Sequence, residues 1–169
     1  MAYPITVHFD RFDDVSFGDV LRGTGVYVIW DSQARVKPSY IGKGDVLSRL
    51  SRHDETFAFP VRGYVALLGN EGLKSEGKDA GIVEALLLEV AESTDRWPIH
   101  NKRSGDLALV RRVWESHGVV RVTIKGCDPF GPPGAPRRLG EPKRIWFDVV
   151  DGEELIESPH WNWRKRSLR

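Results

Sequence analysis

The sequence predicts an α+β fold, in which a small, mainly antiparallel three-stranded sheet is flanked by helices and followed by a β-rich extension. Two short segments rich in β-branched and aromatic residues, 25–31 and 40–42, are joined by a polar loop, as in an antiparallel hairpin. A third strand-like segment and two amphipathic helical segments follow them. Residues 119–169 then alternate apolar and polar side chains between turn residues, a pattern typical of strands.

Apolar periodicity between turn and cap residues places the individual elements. In chain order it predicts a strand over 5–9, one or two helical turns over 14–23, strands over 25–31 and 40–42, a helix over 46–53, a strand over 63–69, a polar loop over 70–78, helices over 79–93 and 105–118, a strand over 119–126, a Pro/Gly-rich loop over 128–142 and a hairpin over 144–158. Asp45 and Asp79 are placed to cap the first two long helices. Asp151-Gly152 is the turn of the last hairpin.

The length of the chain predicts one domain with additions at both ends. A chain of 169 residues and 19.1 kDa can bury a single hydrophobic core. Hydrophobic residues make up 40% and charged residues 29%, which argues against disorder and against a membrane protein. We therefore predict an N-terminal strand and helix over 1–23, a core over 24–118, and a basic, β-rich extension over 119–169 that packs on the same domain.

The sequence also indicates a cytoplasmic protein that does not enter a membrane. Its one cysteine, Cys127, cannot form an intramolecular disulfide, and its first residues lack the basic and apolar regions of a secretory signal. No apolar run is long enough to cross a bilayer.

Charge is distributed unevenly, although the net charge is only +1. Residues 69–95 carry seven acids against two lysines, and residues 96–126 carry seven arginines or lysines against two acids. The last ten residues add four cations and two tryptophans. A basic surface beside an acidic cluster suits a metal-dependent enzyme that acts on a polyanion, although solvated helix faces produce similar runs.

Several common catalytic patterns are missing from the sequence. It has no Cys/His set with zinc spacing, no Gly-rich nucleotide loop and no nucleophile elbow. What remains are tyrosines on neighbouring strands, an arginine and a histidine on one helix face, and carboxylates on the long helix.

Five short motifs, in order, resemble the GIY-YIG nuclease superfamily. They are Gly-Val-Tyr at 25–27, Tyr-Ile-Gly at 40–42, an arginine on the next helix, Glu-Ala-Leu-Leu-Leu-Glu at 84–89, and Trp-Pro-Ile-His-Asn at 97–101. The stretch from Glu84 to Asn101 is especially similar to the nuclease domain of the excision-repair incision subunit. The resemblance covers residues 25–101 and implies a nuclease-like domain over 24–118.

The resemblance implies one divalent cation, Mg²⁺ or Mn²⁺, held by a glutamate of the long helix. Glu89 matches that metal ligand because it keeps the family's twelve-residue spacing to Asn101. Glu84 is the competing ligand, and each glutamate is otherwise a solvated helix residue. Asn101 is implied to brace the site or a metal-bound water.

The remaining catalytic roles are also carried over from the resemblance. Arg49 matches the family's helix arginine, which stabilises charge on the phosphate. His53, one turn later, could relay a proton or hold the attacking water. Tyr27 and Tyr40 match the two motif tyrosines, and we favour Tyr27 as the general base, its phenol acidified by nearby cations. Lys43 is implied to lower a tyrosine pKa or to touch phosphate. Taken singly, each of these residues is also explained by strand packing or surface solvation.

The implied function is a Mg-dependent endonuclease that hydrolyses phosphodiester bonds, with DNA as the favoured nucleic acid. The tail tryptophans Trp161 and Trp163 either stack on bases or fold back over the core. Repair, restriction, mobile-element and phage-defence roles stay open, as do a homodimer and a protein partner for target recognition. The basic residues expected to bind nucleic acid are Arg52, Lys102, Arg103, Arg111, Arg112, Arg164, Lys165 and Arg166.

Two other classes of function compete with this one. The first is a catalytically weak or inactive nucleic-acid-binding module of the same fold, and the second is a structural or protein-interaction domain. The complete set of motif residues favours the enzyme, since loss of activity usually removes at least one of them.

Overall fold

The computed structural model describes residues 2–13, 21–31, 37–69, 71–94, 98, 100–102, 105–158 and 163–168, the last of these by backbone alone. Within them, eight strands form one sheet and three helices pack on it, which confirms the α+β class. The strands are β1 (Ala2–Phe12), β2 (Thr24–Trp30), β3 (Tyr40–Asp45), β4 (Arg62–Gly69), β5 (Val119–Gly126), β6 (Lys143–Val150), β7 (Glu153–Ser158) and β8 (Trp163–Leu168). The helices are α1 (Val46–Thr56), α2 (Lys74–Ser93) and α3 (Leu107–His117).

The strand order is β3-β2-β4-β1-β5-β6-β7-β8. All pairs are antiparallel except β1 with β5. The predicted antiparallel three-stranded unit is present as β3-β2-β4, but a small sheet of three strands is wrong. The sheet continues because β1 pairs with β4 through residues 10–12 and with β5 through residues 2–9, which satisfies backbone groups that would otherwise form an open edge.

Both ends of the chain contribute to one large core. Phe9 of β1, Val28 of β2, Leu86 of α2, Val122 of β5 and Phe147 of β6 are all fully buried in the same cluster. Burial of apolar surface is the main favourable term in folding, so these strands stabilise one another. The N-terminal strand therefore lies inside the sheet.

The two faces of β2 are covered by different helices. Val28 faces the large core beneath α2, whereas Tyr27 belongs to a second cluster with Val46 and Leu50 of α1. This alternation follows from the period of two in a strand. It places Tyr27 under the helix that carries Arg49.

Helix α1 begins where the sequence predicts. The backbone N–H of Ser48 donates to Asp45 Oδ1 at 3.0 Å, which is the expected cap. Gly44, with φ at +119°, lets the chain turn directly from β3 into the helix.

Helix α2 begins five residues before the predicted start, so the loop over 70–78 and the cap at Asp79 are wrong. The Glu76 carboxylate accepts hydrogen bonds from the backbone N–H groups of Leu73, at 3.1 Å, and Glu71, at 3.4 Å. These bonds satisfy donors at the helix start and make residues 74–78 helical. Asp79 lies inside the helix and accepts a hydrogen bond from the Tyr3 hydroxyl at 2.8 Å.

The later elements follow the predicted signals with one addition. Helix α3 ends at Gly118, with φ at +80°, and the β6–β7 hairpin turns at Asp151 and Gly152, with φ at +52° and +79°. Strand β8 pairs with β7 and was not predicted.

The helical turns predicted for 14–23 fall mostly outside the described residues, and Leu21–Gly23 are not helical. None of the described helices combines the length and the apolar character needed to span a bilayer.

Candidate active site

Two tyrosines of neighbouring strands lie side by side under α1. The ring centroids of Tyr27 and Tyr40 are 6.1 Å apart, with their planes at 21°. Gly42 lies opposite Tyr27 in the β2–β3 pair. A Cβ atom at Gly42 would lie 2.5 Å from Tyr27 Oη and 2.6 Å from Tyr40 Cε1, so only glycine leaves room for both rings. The Tyr-Ile-Gly sequence therefore shapes the tyrosine pair.

His53 of α1 joins this pair. Its Nε2 lies 3.1 Å from the Tyr27 hydroxyl, and its ring centroid lies 4.6 Å from that of Tyr40. Burial, aided by Arg49 and Arg52, lowers the pKa of His53 below its ordinary value of 6.5. The imidazole is therefore neutral at neutral pH, and in the tautomer with its proton on Nδ1 its Nε2 would accept the Tyr27 O–H; in the other tautomer Nε2–H would donate to the Tyr27 oxygen.

The tyrosines themselves are held in their neutral form. Burial, aided by Tyr40 and Glu84, raises the pKa of Tyr27, although Arg49 opposes the shift. Burial and Glu84 likewise raise the pKa of Tyr40. The expected acidification of Tyr27 is therefore wrong, because burial outweighs the nearby cations. Tyr27 can move a proton only in concert with His53.

Two cations lie at the edge of the sheet beside the tyrosines. Arg49 is exposed, and its Nε would lie 3.4 Å from a Cβ atom at Gly44. Lys43 is half-buried and points towards α2, where its Nζ would lie 3.1 Å from a Cβ atom at Gly81. Within the described part of the chain, neither cation forms an ion pair or donates a hydrogen bond. Both are therefore available to an anion.

Glu84 supplies the carboxylate whose charge acts on this cluster. Its charge contributes to the raised pKa of both tyrosines. Burial raises the pKa of Glu84 itself, while Lys43 and Arg49 oppose that shift. Among the described residues Glu84 has no ion-pair partner within reach. A half-buried carboxylate therefore faces cations and tyrosines without being paired to any of them.

Glu89, the predicted metal ligand, lies elsewhere on α2. It is only 4% exposed, and five residues along a helix separate it from Glu84 by about 140° around the axis. The charges that act on Tyr27, Tyr40 and His53 include Glu84 and do not include Glu89. The glutamate that the family spacing ranked second is therefore the one beside the tyrosines.

Asn101 braces the edge strand. The N–H of Ile41 donates to Asn101 Oδ1 at 2.8 Å, and Asn101 Nδ2 donates to the Ile41 carbonyl at 2.9 Å. One residue earlier, the N–H of His100 donates to the Ser39 carbonyl at 2.8 Å. Asn101 thus binds both backbone groups of the residue between Tyr40 and Gly42, as a further strand would.

Some of the predicted nucleic-acid-binding cations lie near the site. Arg52 is exposed on α1, and its charge acts on His53 and Tyr27. Lys102 is exposed next to Asn101. These two residues extend the positive charge of Arg49 along the surface beside β3.

The other predicted cations are dispersed. Arg112 is exposed on α3, whereas Arg111 forms ion pairs with Glu115 and Glu154, each at 3.5 Å. Arg103 and Trp161 lie outside the described residues. Four further residues, described by backbone alone, lie in β8: Trp163, Arg164, Lys165 and Arg166.

Searches against protein-family models, curated proteins and solved structures found no match to this chain. The motifs and the geometry described above therefore carry the functional interpretation.

The half-buried carboxylate of Glu84 is the candidate metal ligand beside the tyrosines. Across the described ranges, no three His, Cys, Asp or Glu side chains converge. Mg²⁺ commonly binds one or two carboxylates and keeps several waters, so Glu84 would be its protein ligand at this site.

Three aromatic residues near the site did not stand out in the sequence. Phe57, Phe59 and His100 continue the line of rings that begins at the tyrosines. The available signal was spacing, because Phe57 follows His53 by one helical turn and Phe59 comes two residues later.

Proposed function

We propose that the chain is a metal-dependent endonuclease that hydrolyses phosphodiester bonds in DNA. One observation carries the proposal: two tyrosines, a neutral histidine, an unpaired arginine and an unpaired carboxylate meet at the β3 edge from four different elements. Packing alone would not place the half-buried carboxylate of Glu84 there without an ion-pair partner, since burying a charge without one is unfavourable. The resemblance of the motifs to GIY-YIG nucleases supports the same function.

The proton path follows from the tyrosine–histidine contact. Tyr27 passes its hydroxyl proton to His53 Nε2 as its oxygen takes a proton from the attacking water. The water oxygen forms a bond to phosphorus, and the bond from phosphorus to the leaving sugar oxygen breaks in line with it. The leaving oxygen then takes a proton from solvent, and His53 releases one to solvent, which restores the neutral tyrosine–histidine pair. Neither tyrosine needs to be ionised beforehand.

Side chains around β3 would stabilise the negative charge of the phosphate. The guanidinium of Arg49 can donate two parallel hydrogen bonds to phosphate oxygens, and Lys43 adds a second cation. Glu84 would hold the Mg²⁺ or Mn²⁺, which when bound neutralises negative charge on the phosphate. Asn101 keeps the strand that carries Tyr40 and Lys43 in place.

The proposal is tested with two matched glutamine variants on the same helix. Glu84→Gln and Arg49→Ala are expected to slow Mg²⁺-dependent cleavage of plasmid and single-stranded DNA by about 100-fold or more, since each removes charge stabilisation. Glu89→Gln is expected to cleave at close to the rate of the unchanged protein. If Glu89→Gln alone abolished cleavage, Glu89 would be the metal ligand, and cleavage that persisted in all three variants would refute this assignment of the catalytic residues. No Mg²⁺-dependent cleavage by the unchanged protein would refute the nuclease.

The alternative is a nucleic-acid-binding module without catalysis. The raised pKa of Tyr27 favours it, because a buried phenol that stays neutral is a poor base. Such a module would shift DNA on a gel in a salt-dependent way and would cleave nothing with Mg²⁺ present. A structural or protein-interaction domain would show neither effect.

A further inference from the structure

The tyrosine pair is the inner end of a longer row of rings. We define the aromatic row as Tyr40, His53, Phe57, Phe59 and His100. Ring centroids are 4.6 Å apart from Tyr40 to His53 and 5.0 Å apart from His53 to Phe57. Phe57 then lies 5.1 Å from Phe59 and 5.0 Å from His100, with the planes within 30° of each other in both contacts. The row is therefore continuous and close to parallel at its outer end.

The aromatic row runs from the protein interior to the surface. Tyr27 behind it is buried, Phe57 and Phe59 are half-buried, and His100 is exposed. Phe57 and Phe59 also border an open cleft together with Pro60. Large aromatic side chains usually contribute most to stability when they are buried. A row of rings that stays half-exposed leaves ring faces on which a ligand can stack.

Exposed cations lie beside the inner part and the His100 end of the aromatic row, whereas Asp13 and Asp54 line the cleft at Phe57 and Phe59. Arg49 and Arg52 are exposed on the helix that carries His53, and Lys102 is exposed next but one to His100. Of the nearby acids, Asp13 is paired with Arg11 at 2.7 Å, and Asp54 accepts a hydrogen bond from the Val61 N–H at 3.3 Å. Glu55 adds one exposed acid on the far end of α1. Rings flanked by cations are the arrangement that binds single strands in general.

We propose that the aromatic row binds unpaired bases of single-stranded DNA, next to the phosphate that Arg49 and Lys43 hold. The proposal rests on the proposed function and specifies its substrate as a single strand or an unpaired segment. Bases inside a duplex are already stacked on their neighbours, so their faces cannot reach the rings. An unpaired base stacks on the outer end of the row, at Phe59 or His100, while its phosphates follow the cations.

The test measures binding in EDTA, so that no cleavage occurs. The probes are a fluorescently labelled DNA single strand and a blunt duplex with the same number of phosphates. Phe59→Leu and His100→Ala are expected to weaken single-strand binding by about fivefold to 150-fold each and to leave duplex binding close to unchanged. Leucine keeps apolar packing and removes the ring face, and His100 is exposed, so neither change threatens the fold.

A control and a rescue complete the design. Trp146→Leu removes a half-buried ring from β6, far along the sheet, and is expected to leave both affinities unchanged. His100→Phe keeps an aromatic ring at this position, so it is expected to bind the single strand about as tightly as the unchanged protein and more tightly than His100→Ala. Equal binding of single strand and duplex by the unchanged protein, or equal losses on both probes, would overturn the proposal. A chain that prefers single strands but never cleaves would support the aromatic row and refute the nuclease, so the two failures are distinguishable.

Discussion

The Tyr27 hydroxyl and His53 Nε2 lie 3.1 Å apart, within hydrogen-bond distance, and their surroundings set the protonation state of each. Burial disfavours both the phenolate and the imidazolium, so the pair stays neutral until a reacting group draws the proton through it. Arg49 lowers the pKa of both partners, which favours the tyrosinate and disfavours the imidazolium. The same arginine can therefore bind phosphate and adjust the proton relay.

The lowered pKa of His53 predicts a pH-dependent stability. Below pH 6.5 the unfolded chain takes up a proton at this histidine before the folded chain does, so protonation favours unfolding. The contribution is complete above pH 6.5 and is lost as the pH falls towards the lowered pKa. Compared with His53→Gln, the unchanged protein should lose more free energy of unfolding in acid, as measured by urea denaturation across a pH series.

A second variant checks the cause of that shift. Arg52→Gln removes one of the two arginine charges that oppose imidazolium, so the folded-state pKa of His53 should rise towards 6.5; the loss of stability should then end closer to pH 6.5 and become smaller. Identical pH dependence in the unchanged protein and His53→Gln would show that this histidine does not titrate differently in the folded state.

The motifs predicted most residues of the site, and the exception has a physical reason. Gly-Val-Tyr, Tyr-Ile-Gly and the helix after them do bring Tyr27, Tyr40 and His53 together. The choice between Glu84 and Glu89 depends on the rotation of α2 about its axis. That helix is buried on nearly every side, so its apolar residues do not mark one buried face. The sequence therefore does not show which of the two glutamates faces the tyrosines.

At the scale of elements, β3 is an edge strand whose position depends on one side chain. Asn101 makes both hydrogen bonds to Ile41 that a neighbouring strand would make. Because Tyr40 and Lys43 project from this strand, its position sets the distance between the tyrosine pair and the phosphate-binding cations. A side chain from beyond α2 thus fixes a strand that precedes α1.

Replacing Asn101 by alanine should therefore destabilise the protein by about 1–3 kcal/mol, as expected for two lost hydrogen bonds. Urea denaturation would measure this loss, and hydrogen exchange at the Ile41 amide should become faster. Asn101→Asp keeps the acceptor for the Ile41 N–H but loses the donor, so it should cost stability while protecting that amide better than alanine does. Unchanged exchange at Ile41 in the alanine variant would contradict the bracing role.

Two of the three predicted helix-end residues were right, and the predicted start of α2 was wrong. Asp45 caps α1 and Gly118 follows the last residue of α3, whereas Asp79 lies inside α2. The Glu76 carboxylate instead accepts hydrogen bonds from backbone N–H groups that precede it in the chain. The glycine next to Glu76 had suggested that this segment was a loop. Strand β8 was missed because its run of cations resembles a solvated tail.

At the scale of the molecule, one sheet joins strands from the N-terminal, central and C-terminal parts of the chain. Val120, Val122 and Ile124 of β5 are fully buried, and residues 2–9 of β1 pair only with that strand among the described residues. The strand character of 119–158 was predictable from alternation, but its pairing with β1 was not. Alternation shows which residues share a face and does not specify the partner strand.

A chain that ends at residue 118 should consequently fail to fold. It would expose the apolar face that β5 and β6 cover and would leave most of β1 without a partner. Circular dichroism and urea denaturation should show no cooperative transition for it. A chain that ends at Ser158 and lacks only β8 should retain cooperative unfolding. Cooperative unfolding of the shorter chain would mean that β2–β4 and the helices form a separate domain.

The parallel pairing of Ala2 with Val119 also affects how the chain folds as it is made. The first strand leaves the ribosome long before its partner is synthesised, and translation at ordinary speed takes roughly 6 to 25 s to reach that partner. During this interval Ile5, Val7 and Phe9 lack the part of the core that β5 and β6 supply. Contacts so distant in sequence close slowly, because the entropy of the intervening loop must be overcome first. Until β5 is made, residues 2–9 therefore lack the strand with which they pair in the folded protein.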